Sequence, residues 1–182
     1  MLISITDLKA LYSEFEDVND ELLKRKLSAI ESTIRAYTFN NFQNRQVRSI
    51  CTAKGKTLTY QKGNWLFRES DTIQLSDNGL NDGLYVISKV TANDIEVDEI
   101  LYQSDEVLVT KIQYPFEIVE GAINLLRWDV FERDKNEGVA SESISRHSVS
   151  YVNYDASNTI NGYPSKLFGF CTPYMRVKTW KR

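Results

Sequence analysis

The feature that most constrains this chain is a change of hydrophobic period that happens twice. Leu23, Leu27, Ile30, Ile34 and Tyr37 recur at 4-3-4-3 spacing, one apolar stripe along Asp20–Thr38, as on one face of an α-helix. From about Val47 to Gln113 alternation takes over, in Asp71–Ser76, Gly83–Val90 and Asp94–Asp98, with Glu106–Ile112 as a closing strand. Residues that tolerate positive φ sit between these runs, in Asp77-Asn-Gly79, Asn81-Asp-Gly83 and Asn93-Asp94, with Lys62-Gly-Asn64 as a further turn. At Tyr114-Pro115-Phe116 the helical period returns: Phe116, Val119, Ile123, Leu126 and Val130 run 3-4-3-4, widened by Ile118, Ala122 and Leu125. Two period changes predict a helical frame interrupted by strands.

Helix ends can be placed from local chemistry. Leu8, Leu11, Tyr12 and Phe15 predict a first helix capped by Thr6. Asp17 or Asn19 caps the second, whose acidic start suits the positive end of the helix dipole. Pro115 is expected at the first helical position of a run to Asp134, where its missing N–H costs nothing. Gly121 inside that helix marks a close approach of another helix, since glycine costs about 1 kcal/mol there against alanine. Gly162-Tyr-Pro164 repeats the device, leading through Leu167, Phe168, Phe170 and Cys171 to a stop at Pro173. The expected class is α+β: a small antiparallel bundle of four helices, interrupted by a small antiparallel β sheet or barrel. The helical frame comprises residues 1–45 and 114–182, with a C-terminal arm, and the inserted β domain residues 46–113. Residues 137–161 read as a long polar loop.

Bulk properties exclude several functions. A net charge of −3 with well-mixed charges does not suit a general polyanion binder. Cys51 and Cys171 match neither a disulfide framework nor a zinc site and read as buried free thiols. No early segment resembles a signal peptide, and no run approaches the roughly 20 apolar residues of a membrane span; a soluble chain made in a reducing cytoplasm is expected. His147 stands alone in a polar segment with no nucleophile motif. Asp94, Glu96 and Asp98 share one strand face, but positions six and twelve from Asp94 are Glu99 and Asp105, where a calcium loop needs glycine and glutamate. No catalytic residue, cofactor or metal ligand is expected. Lys24, Arg25 and Lys26 lie mostly off the apolar stripe and read as a solvated or subunit-facing surface. In the tail Arg176-Val-Lys-Thr-Trp-Lys-Arg182, cations alternate with apolar residues, a pattern that suits addition to a neighbour's sheet edge.

Several of these segments occur together in one family. Ile5-Thr-Asp-Leu-Lys9, Ile30-Glu-Ser-Thr-Ile-Arg-Ala-Tyr37, Tyr114-Pro before a long helix, Gly138-Val-Ala-Ser-Glu-Ser-Ile144 with Tyr151, and Gly162-Tyr-Pro164 leading to Pro173-Tyr-Met-Arg176 resemble the head–tail connector (adaptor) proteins of long-tailed double-stranded DNA bacteriophages. Asn81-Asp-Gly-Leu-Tyr-Val-Ile87 resembles the β insert of a subset from phages of Gram-positive hosts. The resemblance implies a non-enzymatic virion protein at the head–tail interface, assembled from the host cytoplasm as a ring, usually of twelve subunits, beneath the portal; isolated members of the family can be monomers that form rings only on the portal or at high concentration. Such a ring extends the DNA channel, lets the double-stranded DNA pass without specific binding, and docks a stopper or tail-completion protein. By the same resemblance, Tyr174, Arg176, Lys178 and Trp180 would contact the portal. Lys24, Arg25, Lys26, Ser141, Glu142, Ser143 and Tyr151 would lie between subunits, and the β insert would face outward. The alternative is a small nucleic-acid-binding module using the β insert as an OB-like platform, with Trp65, Tyr85 and Tyr102 stacking on bases. Lys54, Lys56, Lys62 and Arg68 would favour it, but the acidic residues of the insert outweigh them.

Overall fold

The computed structural model describes residues 2–63, 66–76, 79–133, 141–144, 147–150 and 159–177, giving the backbone alone for 141–144 and 147–150. The chain forms two compact units: Ile3–Glu16 with Asn40–Tyr114, and Asp17–Phe39 with Pro115–Arg182.

The first unit is built on a four-stranded antiparallel sheet of β1 (Gln43–Gly63), β2 (Thr72–Ser76), β3 (Gly83–Val90) and β4 (Asp94–Ile112), in the order β1-β4-β2-β3. β4 is the hub. It pairs with β1 along its length, with β2 through Leu108–Lys111 and with β3 through Ile95–Val97. The expectation of a helical bundle carrying a minor β insertion is therefore corrected: the long sheet is the main element. Two things hid its size. The inward positions of β1 after Val47 are Ser49, Cys51 and Ala53, all buried but too small or polar to signal a strand. The two strands expected at 94–98 and 106–112 are one, continuous through an acidic stretch.

The sheet curls round a core that includes Cys51, Leu58, Phe67, Ile73, Leu75, Ile87, Ile95, Val107 and Val109. β1 bends near Gly55, which has φ +64°, and its end returns to its own first half. Gln61 Nε2 donates to Thr52 Oγ1 (2.6 Å) and to the Asp105 carbonyl (2.8 Å). At Gly63 the backbones come so close that a Cβ would lie 2.5 Å from the Arg48 carbonyl oxygen. The expected turn at Asn81-Asp-Gly83 has a further role. Asn81 is buried; its side-chain amide donates to the Tyr102 carbonyl (2.9 Å) and accepts from the Tyr102 N–H (2.8 Å), so one side chain substitutes for a strand residue. Also in this unit is α1 (Ile5–Leu11), capped by Ser4 rather than Thr6: Ser4 Oγ accepts from the Asp7 N–H. The helix ends at Leu11 and a 3-10 turn, Ser13–Phe15, follows, so Leu8 and Phe15 are buried while Leu11 points outward.

The second unit holds α2 (Asp20–Thr38) and α3 (Phe116–Arg127). α2 has the expected bounds, the Asn19 cap, and Leu23, Leu27, Ile30 and Ile34 buried. Pro115 is the N-cap of α3, one position earlier than expected; its ψ of 154° is extended, and its carbonyl accepts from Ile118 and Val119. The buried face runs through Ile118, Ala122, Ile123, Leu125 and Leu126 as expected, while Phe116 is exposed. The helix then widens into a π-turn, Trp128–Glu132. The C-terminal helix is a 3-10 segment, Ser165–Tyr174, with Pro173 in its last turn rather than beyond it. Phe170 of this segment lies against Gly121, where a Cβ would meet its ring; the glycine does mark a close approach.

Two short strand pairs also belong to this unit. β5 (Ser141–Ile144) pairs with β6 (His147–Ser150), so the expected long loop is in part a strand pair, its alternation concealed by serines. β7 (Thr159–Ile160) pairs with β8 (Tyr163–Pro164) across Asn161-Gly162, at φ 49° and 82°, the chemistry of a two-residue hairpin turn. Pro164 thus ends a strand and caps the 3-10 segment instead of opening an α-helix.

Cys51 and Cys171 are both free and buried, and burial pushes their thiols up to about 12 and about 11. A thiol needs its thiolate to react. Neither is expected to react with an aromatic disulfide reagent near neutral pH until denaturant is added, when both should. Rapid release from the folded chain would contradict this burial.

Candidate partner-binding surfaces

Two places in the second unit stand out, one for its exposed side chains and one for a buried charge. The first is the root of the C-terminal arm. After Tyr174 the chain turns extended, with Met175 at φ −65° and ψ 136°. Two bonds hold it: the Tyr174 hydroxyl donates to Glu117 Oε2 (2.9 Å), and the Arg176 N–H donates to the Thr38 carbonyl (2.8 Å) at the end of α2. The Glu117 carboxyl is held below its ordinary value by its own backbone hydrogen bond at the helix start and by Tyr174. Tyr174 is raised in turn by that contact. Phe39 and Phe116, next in sequence to Thr38 and Glu117, are exposed, as are Met175 and Val177, the last at 88%. Aromatic and aliphatic side chains so placed suit a partner more than water.

The second is a buried carboxylate. Asp129 sits in the π-turn with its side chain 4% exposed. It accepts from Lys26 Nζ (2.7 Å), Arg133 Nη1 (2.9 Å) and the Tyr163 hydroxyl (3.4 Å). Burial alone would raise its pKa, but the hydrogen bonds and charges of Lys26 and Arg133 outweigh that and leave it lowered. Burial, then Asp129, pushes Tyr163 up to about 12. The Trp128 and Tyr163 rings lie 5.7 Å apart at a tilt of 55°, and the Arg133 guanidinium lies 6.0 Å over the Trp128 ring. This cluster ties α2, the π-turn and β8 together. One signal for it was readable: Asp129 follows Ile118, Ala122 and Leu125 at helical spacing, a lone carboxylate on an apolar face.

The structure treats the sequence-derived site residues unevenly. Lys24 and Arg25 are exposed on α2, while Lys26 is committed to Asp129. Tyr174 and Arg176 come together at the arm root. Ser141, Glu142 and Ser143 lie in β5, opposite Ser150, Val149 and Ser148. Tyr151, Lys178 and Trp180 lie outside the described residues, as does Trp65. Tyr85 packs against the sheet core and donates to the Asn81 carbonyl (3.1 Å), whereas Tyr102 is exposed. Among the described residues, no three His, Cys, Asp or Glu side chains form a metal-binding group, and no helix is long and apolar enough to cross a membrane.

No known family model matches the chain, and no curated protein matches it.

Proposed function

We propose that this chain is a structural subunit of a phage head–tail junction, forming a ring beneath the portal that extends the DNA channel and docks the next head-completion or tail protein. The observation that supports this most is the arm root. A short extended segment, fixed by two hydrogen bonds, carries exposed Met175 and Val177 beside Arg176 and continues into a basic tail. Such an arm can add to another protein's sheet edge, where main-chain hydrogen bonds supply affinity. The net charge of −3 agrees with a channel wall along which phosphates slide without being held. Ring closure needs two different surfaces on each subunit, and exposed Lys24 and Arg25 on α2 with the acidic run Asp94–Glu99 of β4 offer one such pair.

The test mixes the purified chain with portal rings of the same phage and counts bound copies by native mass spectrometry. A complete ring of added copies is expected, with binding lost when Glu117→Lys and Phe116→Asp disturb the arm root. A folded chain that leaves the portal bare overturns the reading.

A further inference from the structure

The pairing of β4 with β1 is uneven. From Cys51↔Val107 to Thr57↔Glu96, β4 uses eleven steps against six on β1, so the middle of β4 bows outward. On its other side, β3 pairs no further than Val97 and β2 no nearer than Leu108, with Asn81 bridging between them at Tyr102. The bowed stretch displays Ile100 (80% exposed) and Tyr102 (64%), and Leu80, next to Asn81, is 71% exposed. Bulges re-aim side chains in this way, and a sheet region with exposed apolar residues and few strand partners invites pairing with another chain. Its charge is one-sided: residues 94–106 contain six carboxylates and no lysine or arginine. Among the described residues, neither Asp98 nor Glu99 has an ion-pair partner.

We infer that this bowed segment of β4 receives the C-terminal arm of a second copy of the chain. Residues 176–182 carry four cations and no carboxylate, interleaved with Val177 and Trp180, the complement of an acidic face bearing Ile100, Tyr102 and Leu80. The arm is already extended where it leaves Met175, the geometry for adding to a sheet edge. Its tryptophan is the side chain best suited to anchor such a contact. The inference rests on the ring reading in taking sister copies as neighbours, and it gives the arm to a sister subunit in place of the portal.

A charge exchange between full-length chains tests it. One variant carries Asp98→Lys with Glu99→Lys; the other carries Lys178→Glu with Lys181→Glu. Sedimentation velocity should show wild-type association that grows with concentration and weakens with salt. Each variant alone should associate at least about tenfold more weakly, and mixing the two should restore association. Restoration requires the arm of one copy on the face of another. Loss in both variants without restoration overturns the inference, as does a wild-type chain that stays monomeric at its highest soluble concentration. Ile100→Ser, at an exposed position, should weaken association with an unchanged circular dichroism spectrum. If the arm-reversed chain loses only portal binding, the arm belongs to the portal and this inference fails while the ring reading stands. If the exchange succeeds and no variant or wild type binds portal, the sister contact stands and the ring reading fails.

Discussion

Replacing Asp129 by alanine is expected to cost about 3 kcal/mol, in the range for removing one member of a buried ion pair. For a chain of this size that lowers Tm by roughly 10 °C. The cost has two parts. Lys26 and Arg133 lose the carboxylate they share, and the buried Tyr163 hydroxyl loses its acceptor. Asp129→Asn keeps the shape and one acceptor, so it should cost less. The pH dependence has a definite sign. Asp129 is lowered from an ordinary 3.8 in the folded chain, so the folded state holds its proton less tightly than the unfolded one. Its contribution is complete above about pH 4 and is lost as pH falls through the lowered value. Urea titrations between pH 2 and 6 should show wild type losing more stability than Asp129→Asn on acidification. Equal losses would mean the carboxylate is not paired as described.

Gly63→Ala is expected to destabilise by more than about 3 kcal/mol, because strain and collision add. Gly63 has φ +117°, and its new Cβ would lie 2.5 Å from the Arg48 carbonyl oxygen and 2.9 Å from the Ser49 Cα. Those are backbone atoms of the same strand and cannot swing aside as a side chain can. Gly55→Ala is the control. Its φ of +64° is also left-handed, yet nothing lies within 4 Å of the added carbon, so only the conformational cost of about 1–2 kcal/mol applies. Urea midpoints of the two variants, with hydrogen exchange at Arg48–Cys51, separate the terms. Similar losses in both would show that the return of β1 upon itself is not tight.

What could be read from residues alone follows where the physics is local. α2 was legible to its ends because its five-residue stripe and the side-chain cap before it lie in one continuous stretch of sequence. Gly121 was legible as a contact because glycine has little other reason to sit inside a helix. β1 was not, since its inward serine, cysteine and alanine are selected by the opposite wall of the sheet, which is distant in sequence. Most of the buried face of α3 was legible as well, through Ile118, Ala122, Ile123, Leu125 and Leu126, but Phe116, which fits the stripe by spacing, is exposed in the first turn. The Asn81 bridge was read as a turn, because its partner, Tyr102, is supplied by another strand. The arm root was partly legible through its alternation. The Asp129 cluster depends on cations from two different segments and was missed.

Because every strand of the sheet meets on β4, the sheet also has an order of birth. A ribosome releases β1, β2 and β3 before the strand that joins them. The β2–β3 pair alone would be marginal in water, so these residues wait, unpaired, for Ile112. β1 is the longest of them and carries Arg45, Arg48, Lys54, Lys56 and Lys62 with no carboxylate. Like charges along a waiting strand discourage it from joining the same strand on a neighbouring nascent chain. The carboxylates of β4 then arrive as the natural counterpart, so the charge that keeps the unfinished chain apart from its siblings also selects the partner that completes it.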